Sequence, residues 1–432
     1  MALALHVRRL LGDAPVAVDA YDGSHADPLD GPARATAIVR RPEAVRRVLA
    51  RPGELGIARA FVAGDLEVEG DLFTVLDVGF RRGVRIDARS VVALAREVGT
   101  DGLRPIPPPP EEARLRGVLH SRTRDADAIS HHYDVSNEFY RLVLGPSMTY
   151  SCAVFADDAT TLERAQAAKH ELVCRKLALH PDMRLLDVGC GWGSMLIHAA
   201  REHGVTGVGI TISRRQAELA AKRVADAGLA DRVEIRLQDY RDVPDQPFDA
   251  ISSIGMFEHV GRRQLETYVR TLFGLLRPGG RLLNHAIGRP GYPQPATPAG
   301  RLRALNRRVA TAVGASWPSR IDSALMDRYV FPDGELHEVG TVVSMLQEAG
   351  FEVRHLESLR EHYALTLRAW VANLEQAWDE AVREVGEGRA RVWRLYMAAC
   401  ALGFEHGSTQ VHQVLAVAPD DGRSGMPLRP CF

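Results

Sequence analysis

The sequence predicts an α/β fold: a parallel sheet with helices on both faces, preceded by a small, mainly helical N-terminal domain. Three observations predict it. Leu185-Leu186-Asp187-Val188-Gly189-Cys190-Gly191-Trp192-Gly193 reads as a buried strand running into a glycine turn, with Ser194 opening a helix over 195–201. Apolar runs at 205–210, 233–237 and 248–254, with helical periodicity over 215–227, give the strand-helix-strand order of a parallel sheet. Residues 101–111, with Pro105, Pro107, Pro108, Pro109 and Pro110, suit neither helix nor central strand and divide the chain in two.

The composition agrees with two domains. The chain has 432 residues, 46% hydrophobic and 25% charged, enough to bury a sizeable core. Its net charge of -1 and pI of about 7.0 create no overall field that calls for nucleic acid. Cys152, Cys174, Cys190, Cys400 and Cys431 lack C-x-x-C spacing, which argues against a zinc site or a disulfide framework and fits a reducing cytosol; no metal is expected. Residues 1–11 have no apolar core of signal-peptide length, and no run of ~20 apolar residues occurs. The expectation is a cytoplasmic protein that neither spans a membrane nor leaves by the usual signal.

In chain order, residues 1–100 form the small domain. A basic helix is expected over 42–50, a glycine-punctuated turn region over 53–64, and an apolar stripe over 72–80. The proline-rich linker takes 101–118, and 119–432 is the larger domain. Segments 129–137 and 147–152 precede its sheet and can lie over the ligand edge as a lid. At the first strand end the glycines let the backbone turn tightly and approach a ligand closely. A dinucleotide fingerprint would need glycine where Ser194 stands, so a pyrophosphate-bearing cofactor is disfavoured. In parallel sheets ligands sit at the carboxyl ends of strands, and 189–193, 211–216, Gln238-Asp239-Tyr240 and 255–258 all fall there.

These segments resemble the cyclopropane fatty acid synthases. The resemblance rests on Tyr150-Ser151-Cys152-Ala153, 186–193, Thr211-Ile212-Ser213 with Gln216, Gln238-Asp239-Tyr240-Arg241-Asp242 and Gly255-Met256-Phe257-Glu258-His259-Val260-Gly261, and it covers about residues 40 to 418. It implies a Rossmann-like methyltransferase sheet and an S-adenosylmethionine-dependent enzyme that modifies double bonds of phospholipid acyl chains. It further implies that Tyr150, Ser151, Gly189, Gly191, Thr211, Gln216, Gln238 and Asp239 surround S-adenosylmethionine, with Asp187 buttressing the glycine turn. Neutral hydrogen-bonding side chains suit a ribose and an adenine, and the lack of a basic cluster fits a cofactor without phosphates.

By the same resemblance Cys152, Glu258, His285, Ile287 and Tyr363 hold a bicarbonate ion, Cys152 and Ile287 through backbone groups. His285 ends an expected fifth strand, and Tyr363 lies at a helix start. A cis alkene is a poor nucleophile and its methylation produces a cation that must lose a proton, so close placement and a sheltered base are needed. Cys400 matches a cysteine that has been regarded as catalytic in this family. Alkene methylation needs no covalent adduct, and no basic neighbour in sequence lowers its pKa, so the alanine-rich helix around Cys400 favours a packed residue.

Departures from the family pattern concern the acyl pocket and surface more than the cofactor site. Residues 289–320 are longer than expected, His337-Glu338-Val339 follows Leu336 where a proline is usual, and the tail 418–432 is extended. The leading expectation is a cyclopropane product on unsaturated phospholipids at the inner face of the membrane. The alternatives are a methylene branch handed to a reductase partner, and a lipid-binding protein without turnover. In 300–320, Arg301, Arg303, Arg307, Arg308 and Arg320 occur without an acidic residue while Leu302, Leu305, Val309 and Val313 recur at helical spacing, followed by Trp317; such a helix can lie in a membrane interface or pack on the protein itself. Nothing in the sequence fixes chain length, double-bond position, headgroup or whether the protein works as a homodimer.

Overall fold

The computed structural model describes residues 3–82, 106–113, 135–244, 247–291, 323–331 and 334–432. Its first part is built on a four-stranded sheet in the order β2-β1-β3-β4, formed by β1 (Val16–Ala20), β2 (His25–Ala26), β3 (Ala35–Val39) and β4 (Leu66–Gly70). Helices α1 (Leu3–Leu10), α2 (Pro42–Ala50), α3 (Glu54–Val62) and α4 (Leu72–Arg82) accompany it. The expected helix over 42–50 is present to the residue. The expected turn region over 53–64 is not a turn, because Glu54–Val62 is helical. Gly53 and Gly64 flank that helix with φ of 108° and 72°. Gly56 is there for a different reason: a Cβ on it would stand 2.2 Å from Arg51 O, so α3 can approach the end of α2 only without a side chain at this position.

The second part carries a seven-stranded sheet in the order β10-β11-β9-β8-β5-β6-β7. β5 (Arg184–Val188), β6 (Thr206–Thr211), β7 (Val233–Leu237), β8 (Phe248–Ile254) and β9 (Leu276–Gly288) pair in parallel. β11 (Gln410–Val417) runs antiparallel to both β9 and β10 (Glu352–Ser358). Adjacent residues along the strands face different clusters: Leu186 and Leu282 enter one core, Leu185 and Leu283 the other. This alternation covers the sheet on both faces, as near-continuous apolar strands require. One face is covered by α6 (Leu162–Leu177) and α7 (Ser194–His203), whose Val173, Leu177, Leu196 and Ala199 pack under Leu185. α10 (Leu265–Gly274) and α11 (Val339–Glu348) supply Leu265, Leu272, Val342 and Leu346 to the other. The expected helix over 215–227 is α8 (Arg214–Asp226), capped by Ser213 Oγ, which accepts the Gln216 amide at 3.3 Å.

A third, aromatic-rich cluster joins the two parts. It draws Phe61, Val62 and Leu72 together with Phe139 and Tyr140 of α5 (Asn137–Leu144), Trp370 of α12 (Arg360–Gln376), Ala381 of α13 (Trp378–Val385), and Trp393 and Tyr396 of α14 (Glu387–Glu405). Arg391 of α14 pairs with Glu67 of β4 at 2.6 Å and with Glu387 at 2.8 Å. In the proline-rich segment the described residues 106–113 form neither helix nor strand, as expected, but they are docked rather than free. The Glu112 carboxylate accepts two hydrogen bonds from Arg59, at 2.7 and 2.8 Å, and one from Tyr329 Oη at 3.3 Å.

Candidate active site

The carboxyl ends of β5, β6, β7 and β8 open on a cavity of ≈ 300 Å³. The turn after β5 builds its floor. Gly189, Gly191 and Gly193 adopt φ of 76°, 54° and 80°, conformations that residues with a Cβ rarely take. Ile210 O accepts the amides of Gly189 and Cys190, both at 3.0 Å, which ties the turn to β6. A Cβ on Gly189 would collide with Met256 at 2.4 Å, whereas one on Gly191 would meet no heavy atom within 4 Å and would project into open space. Gly191 is therefore the place where the backbone itself is offered to a ligand.

All nine residues expected around the cofactor line this cavity: Tyr150, Ser151, Asp187, Gly189, Gly191, Thr211, Gln216, Gln238 and Asp239. Asp187, buried under the turn, accepts from Ser252 Oγ at 2.6 Å, and burial pushes its pKa up to about 6. Gln216 is buried, and its Oε1 accepts from Thr211 Oγ1 at 2.8 Å. Gln238 Nε2 donates to Asp242 O at 2.7 Å while its Oε1 is buried without a partner among the described residues, an acceptor left for a ligand donor such as an exocyclic amine. Asp239 is held by Arg241 through both oxygens, at 2.8 and 2.5 Å. Tyr150 Oη shares a hydrogen bond of 2.9 Å with Tyr396 Oη, and its ring packs 5.3 Å from Trp370.

Residues Met148, Thr149, Tyr150 and Ser151 wall the cavity as the second expected lid segment. They are anchored to the turn: Ser147 O accepts from Ser194 Oγ at 2.5 Å and from Arg223 Nη2 at 2.8 Å. Of the first lid segment, residues 129–134 lie outside the described residues.

The second expected constellation adjoins this cavity without lining it. Glu258 sits in the short helix α9 (Phe257–Val260), just past the cavity-lining Met256, and its Oε1 accepts the Ile287 amide at 2.5 Å. Glu258 Oε2 and both ring nitrogens of His285 are buried with no hydrogen-bond partner among the described residues. Burial raises Glu258 to about 7 and lowers His285 to about 3, so the carboxyl group is poised near neutrality while the imidazole stays uncharged. His285 O receives the amide of cavity-lining Gly255 at 2.9 Å. Cys152 follows cavity-lining Ser151; its Sγ donates to Leu359 O at 3.6 Å, and Leu359 N in turn donates to Val411 O, the register partner of Ile287. Tyr363 occupies the first turn of α12, its ring 4.7 Å from Phe404 and in the same apolar cluster as Cys152 and Ile287.

Cys400 packs against the same apolar cluster and does not line the cavity. It lies on α14 one turn beyond Tyr396, and burial followed by the nearby Glu54 pushes its thiol up to about 12. Such a thiol carries almost no thiolate at neutral pH.

Over residues 120–414 the chain matches the family described as mycolic acid cyclopropane synthetase. The protein belongs to this family. It is 45% identical over 446 aligned residues to a protein of Mycobacterium tuberculosis named a probable fatty acid methyltransferase, an alignment covering 100% of this chain and 97% of the relative. With the cyclopropane-fatty-acyl-phospholipid synthase of Escherichia coli K12 it shares 33% identity over 90% of this chain and 89% of that one. The crystal structure of mycolic acid cyclopropane synthase CmaA1 complexed with SAH and CTAB superimposes with a TM-score of 0.60 and 32% identity, covering 68% of this chain and 98% of the other. As a member of the cyclopropane synthetase family, the chain is an S-adenosylmethionine-dependent methyltransferase that acts on lipid acyl chains.

This family member has cavity residues that the sequence reading did not single out. Lys169 of α6 is fully buried, lines the cavity and faces Asp187; burial lowers its pKa to about 8 despite that carboxylate. His259, held neutral by burial with its pKa lowered to about 4, and Gln264 also line the cavity. A signal existed for Lys169: it falls four residues from Ala165 and from Val173, on the apolar stripe of its helix, where a lysine is costly unless it has work to do.

Proposed function

We propose that the protein transfers a methyl group from S-adenosylmethionine to the cis double bond of an unsaturated phospholipid acyl chain and closes it to a cyclopropane. The observation that carries this reading is the set of three orphaned polar atoms, Glu258 Oε2, His285 Nδ1 and His285 Nε2, buried beside the methyl-donor cavity. Unpaired polar atoms in a core cost roughly 1–3 kcal/mol each, and a small oxyanion able to accept from one His285 nitrogen and from a protonated Glu258 would satisfy two of the three. These donors fit bicarbonate.

When bound, S-adenosylmethionine supplies an electrophilic methyl group and bicarbonate supplies a base. The chain's own residues do the rest. Gly191 and the turn seat the donor, and the aromatic wall of Tyr140, Tyr150 and Trp370 keeps water from the reacting alkene. Neutral His285 donates one hydrogen bond to the anion without adding charge. Glu258, poised near neutrality, holds the Ile287 backbone with one oxygen and can exchange a proton through the other. The Ile287 amide is engaged by Glu258 here, so its part in holding the ion requires that this bond give way.

Access to a bilayer substrate is assigned to the arginine-rich segment 300–320, which lies outside the described residues; the protein works as a peripheral protein on the inner face of the membrane. No described helix is long and apolar enough to cross a membrane. Lipids from cells expressing the protein and fed labelled methionine test the reading by mass spectrometry with olefin-specific derivatisation. A labelled product that resists derivatisation is the cyclopropane; one that reacts is the methylene, which needs a reductase partner; no labelled lipid leaves only lipid binding.

A further inference from the structure

Away from the cavity, on the outer flank of the sheet, α6 and α7 bring four potential metal ligands together. Cys174 Sγ and one ring nitrogen each of His198 and His203 lie within 4.8 Å of one another. Glu171, one turn before Cys174, places Oε2 at 2.9 Å from His203 Nε2 and 3.4 Å from His198 Nε2. Cys174 is buried, whereas the two histidine side chains are each 18% exposed, so an ion has a route from solvent to a largely enclosed position.

We propose that Glu171, Cys174, His198 and His203 form a structural zinc site that clamps α6 to α7. The residue types decide the metal. One thiolate, two imidazoles and one carboxylate make the mixed, four-coordinate donor set that zinc favours, while calcium and magnesium want oxygen alone. Thiolate and carboxylate together neutralise a divalent ion, which lowers the cost of holding it at the edge of the core.

The hydrogen bonding around His203 points the same way. Its Nδ1 faces Leu179 O at 3.3 Å and its Nε2 faces the Glu171 carboxylate, so both ring nitrogens meet oxygen acceptors. A neutral imidazole has one donor, so the two contacts are met either by a doubly protonated ring or by a cation standing between Nε2 and the carboxylate. With Nδ1 donating to the Leu179 carbonyl, Nε2 is oriented as a ligand, the arrangement that backbone carbonyls commonly impose on metal-bound histidines. Zinc bonds of about 2.0–2.3 Å place ligand atoms roughly 3.3–3.8 Å apart, so Cys174, His198 and His203 close by about 1 Å while Glu171 Oε2 draws back slightly from His203 Nε2, which it meets at 2.9 Å. Burial and Glu171 push the Cys174 thiol up; zinc binding removes that proton outright.

The clamp would act on the cavity from behind. α6 also carries Lys169 and His170, and α7 begins with Ser194 and Met195, all of which line the cavity. The His170 ring lies 5.6 Å from that of His198.

The test uses the full-length chain, prepared without a metal-affinity tag, stripped with a chelator and titrated with cobalt(II) and then zinc. One cobalt per chain, a sulfur-to-cobalt charge-transfer band and its disappearance when zinc is added are expected, with a rise in Tm on zinc binding. Cys174→Ser should abolish the band, and His203→Gln should abolish stoichiometric binding, while Cys431→Ser, which changes an exposed thiol elsewhere, keeps both. Should Cys174→Ser fail to fold, Glu171→Gln, at a side chain 39% exposed, must weaken zinc binding at least tenfold. Absence of the band in the folded wild type, or a band and stoichiometry unchanged in these variants, overturns the proposal and leaves a carboxylate hydrogen-bonded to two histidines.

Discussion

Glu258 Oε1 accepts the Ile287 amide at 2.5 Å, which fixes a carboxyl group of the α9 turn against the end of β9. Glu258 Oε2 stays buried with no hydrogen-bond partner among the described residues, as do both ring nitrogens of His285, two residues before Ile287. Glu258→Gln preserves the acceptor for Ile287 and removes only the ionisable oxygen. Turnover should fall by about 10²–10⁴-fold, and S-adenosylmethionine affinity measured by calorimetry should stay within twofold. Rates of the wild type should also drop in bicarbonate-depleted buffer. Retained activity in the variant together with indifference to bicarbonate would remove the carboxyl group and the anion from the reaction.

Gly191 faces open space at φ 54°. Gly191→Val brings a branched side chain into the cavity and strains the turn by roughly 1–3 kcal/mol. Calorimetry on the folded variant should show methyl-donor affinity reduced at least tenfold; undiminished affinity would take the turn out of the binding site.

His285 is held neutral in the folded protein down to about pH 3, while in the unfolded chain it takes up a proton near 6.5. Between those values the unfolded state binds more protons, so stability is present above about pH 6.5 and is lost as the pH falls towards 3. His170 and His259 are also held neutral and add to the same trend. His285→Gln should therefore lose less stability than the wild type when urea unfolding is compared at about pH 7 and about pH 5. Equal losses in the two proteins would mean that this imidazole is not kept neutral by the fold.

The Cys400 thiol is pushed up to about 12 by burial and then by Glu54, the reverse of what activates a nucleophile. Cys400→Ser should keep kcat within about threefold, scored directly by lipid turnover; a loss of ~10³-fold, as expected for a nucleophile, would reverse its assignment.

Arginines near an anionic surface contribute about 1 kcal/mol each. Replacing Arg303, Arg307 and Arg308 by glutamate should weaken cosedimentation with anionic vesicles and make the residual activity less salt-sensitive, with Tm unchanged. Wild-type vesicle binding across a salt series would exclude segment 300–320 as the membrane contact.

The parallel sheet and the cofactor edge were legible because their signals are local. Glycines at alternate positions after an apolar strand, and polar residues at the ends of successive strands, mark the carboxyl edge, and Asp187 to Asp239 fall on it. The helix Glu54–Val62 was misread because glycine serves two ends: Gly53 and Gly64 turn the chain, but Gly56 only lets two helices touch. Lys169 was passed over since a lone lysine in a helix reads as solvated until the sheet beneath it is known. The grouping of Cys174 with His198 and His203 was out of reach for another reason. Its members lie on two helices with a strand between them, and no spacing rule spans that distance.

The pairing of Arg391 with Glu67 has a practical corollary for anyone cutting this gene. A piece that starts after α4 would keep Trp393 and Tyr396 but lose Phe61, Val62 and Leu72, which cover the same cluster. The severed face would be sticky, and the tyrosine pair Tyr150–Tyr396, which belongs to the same cluster, would lose part of its backing. Shortened versions should therefore be judged first by whether they stay dispersed in solution, since a drop in turnover in a clumping fragment says nothing about the residues removed.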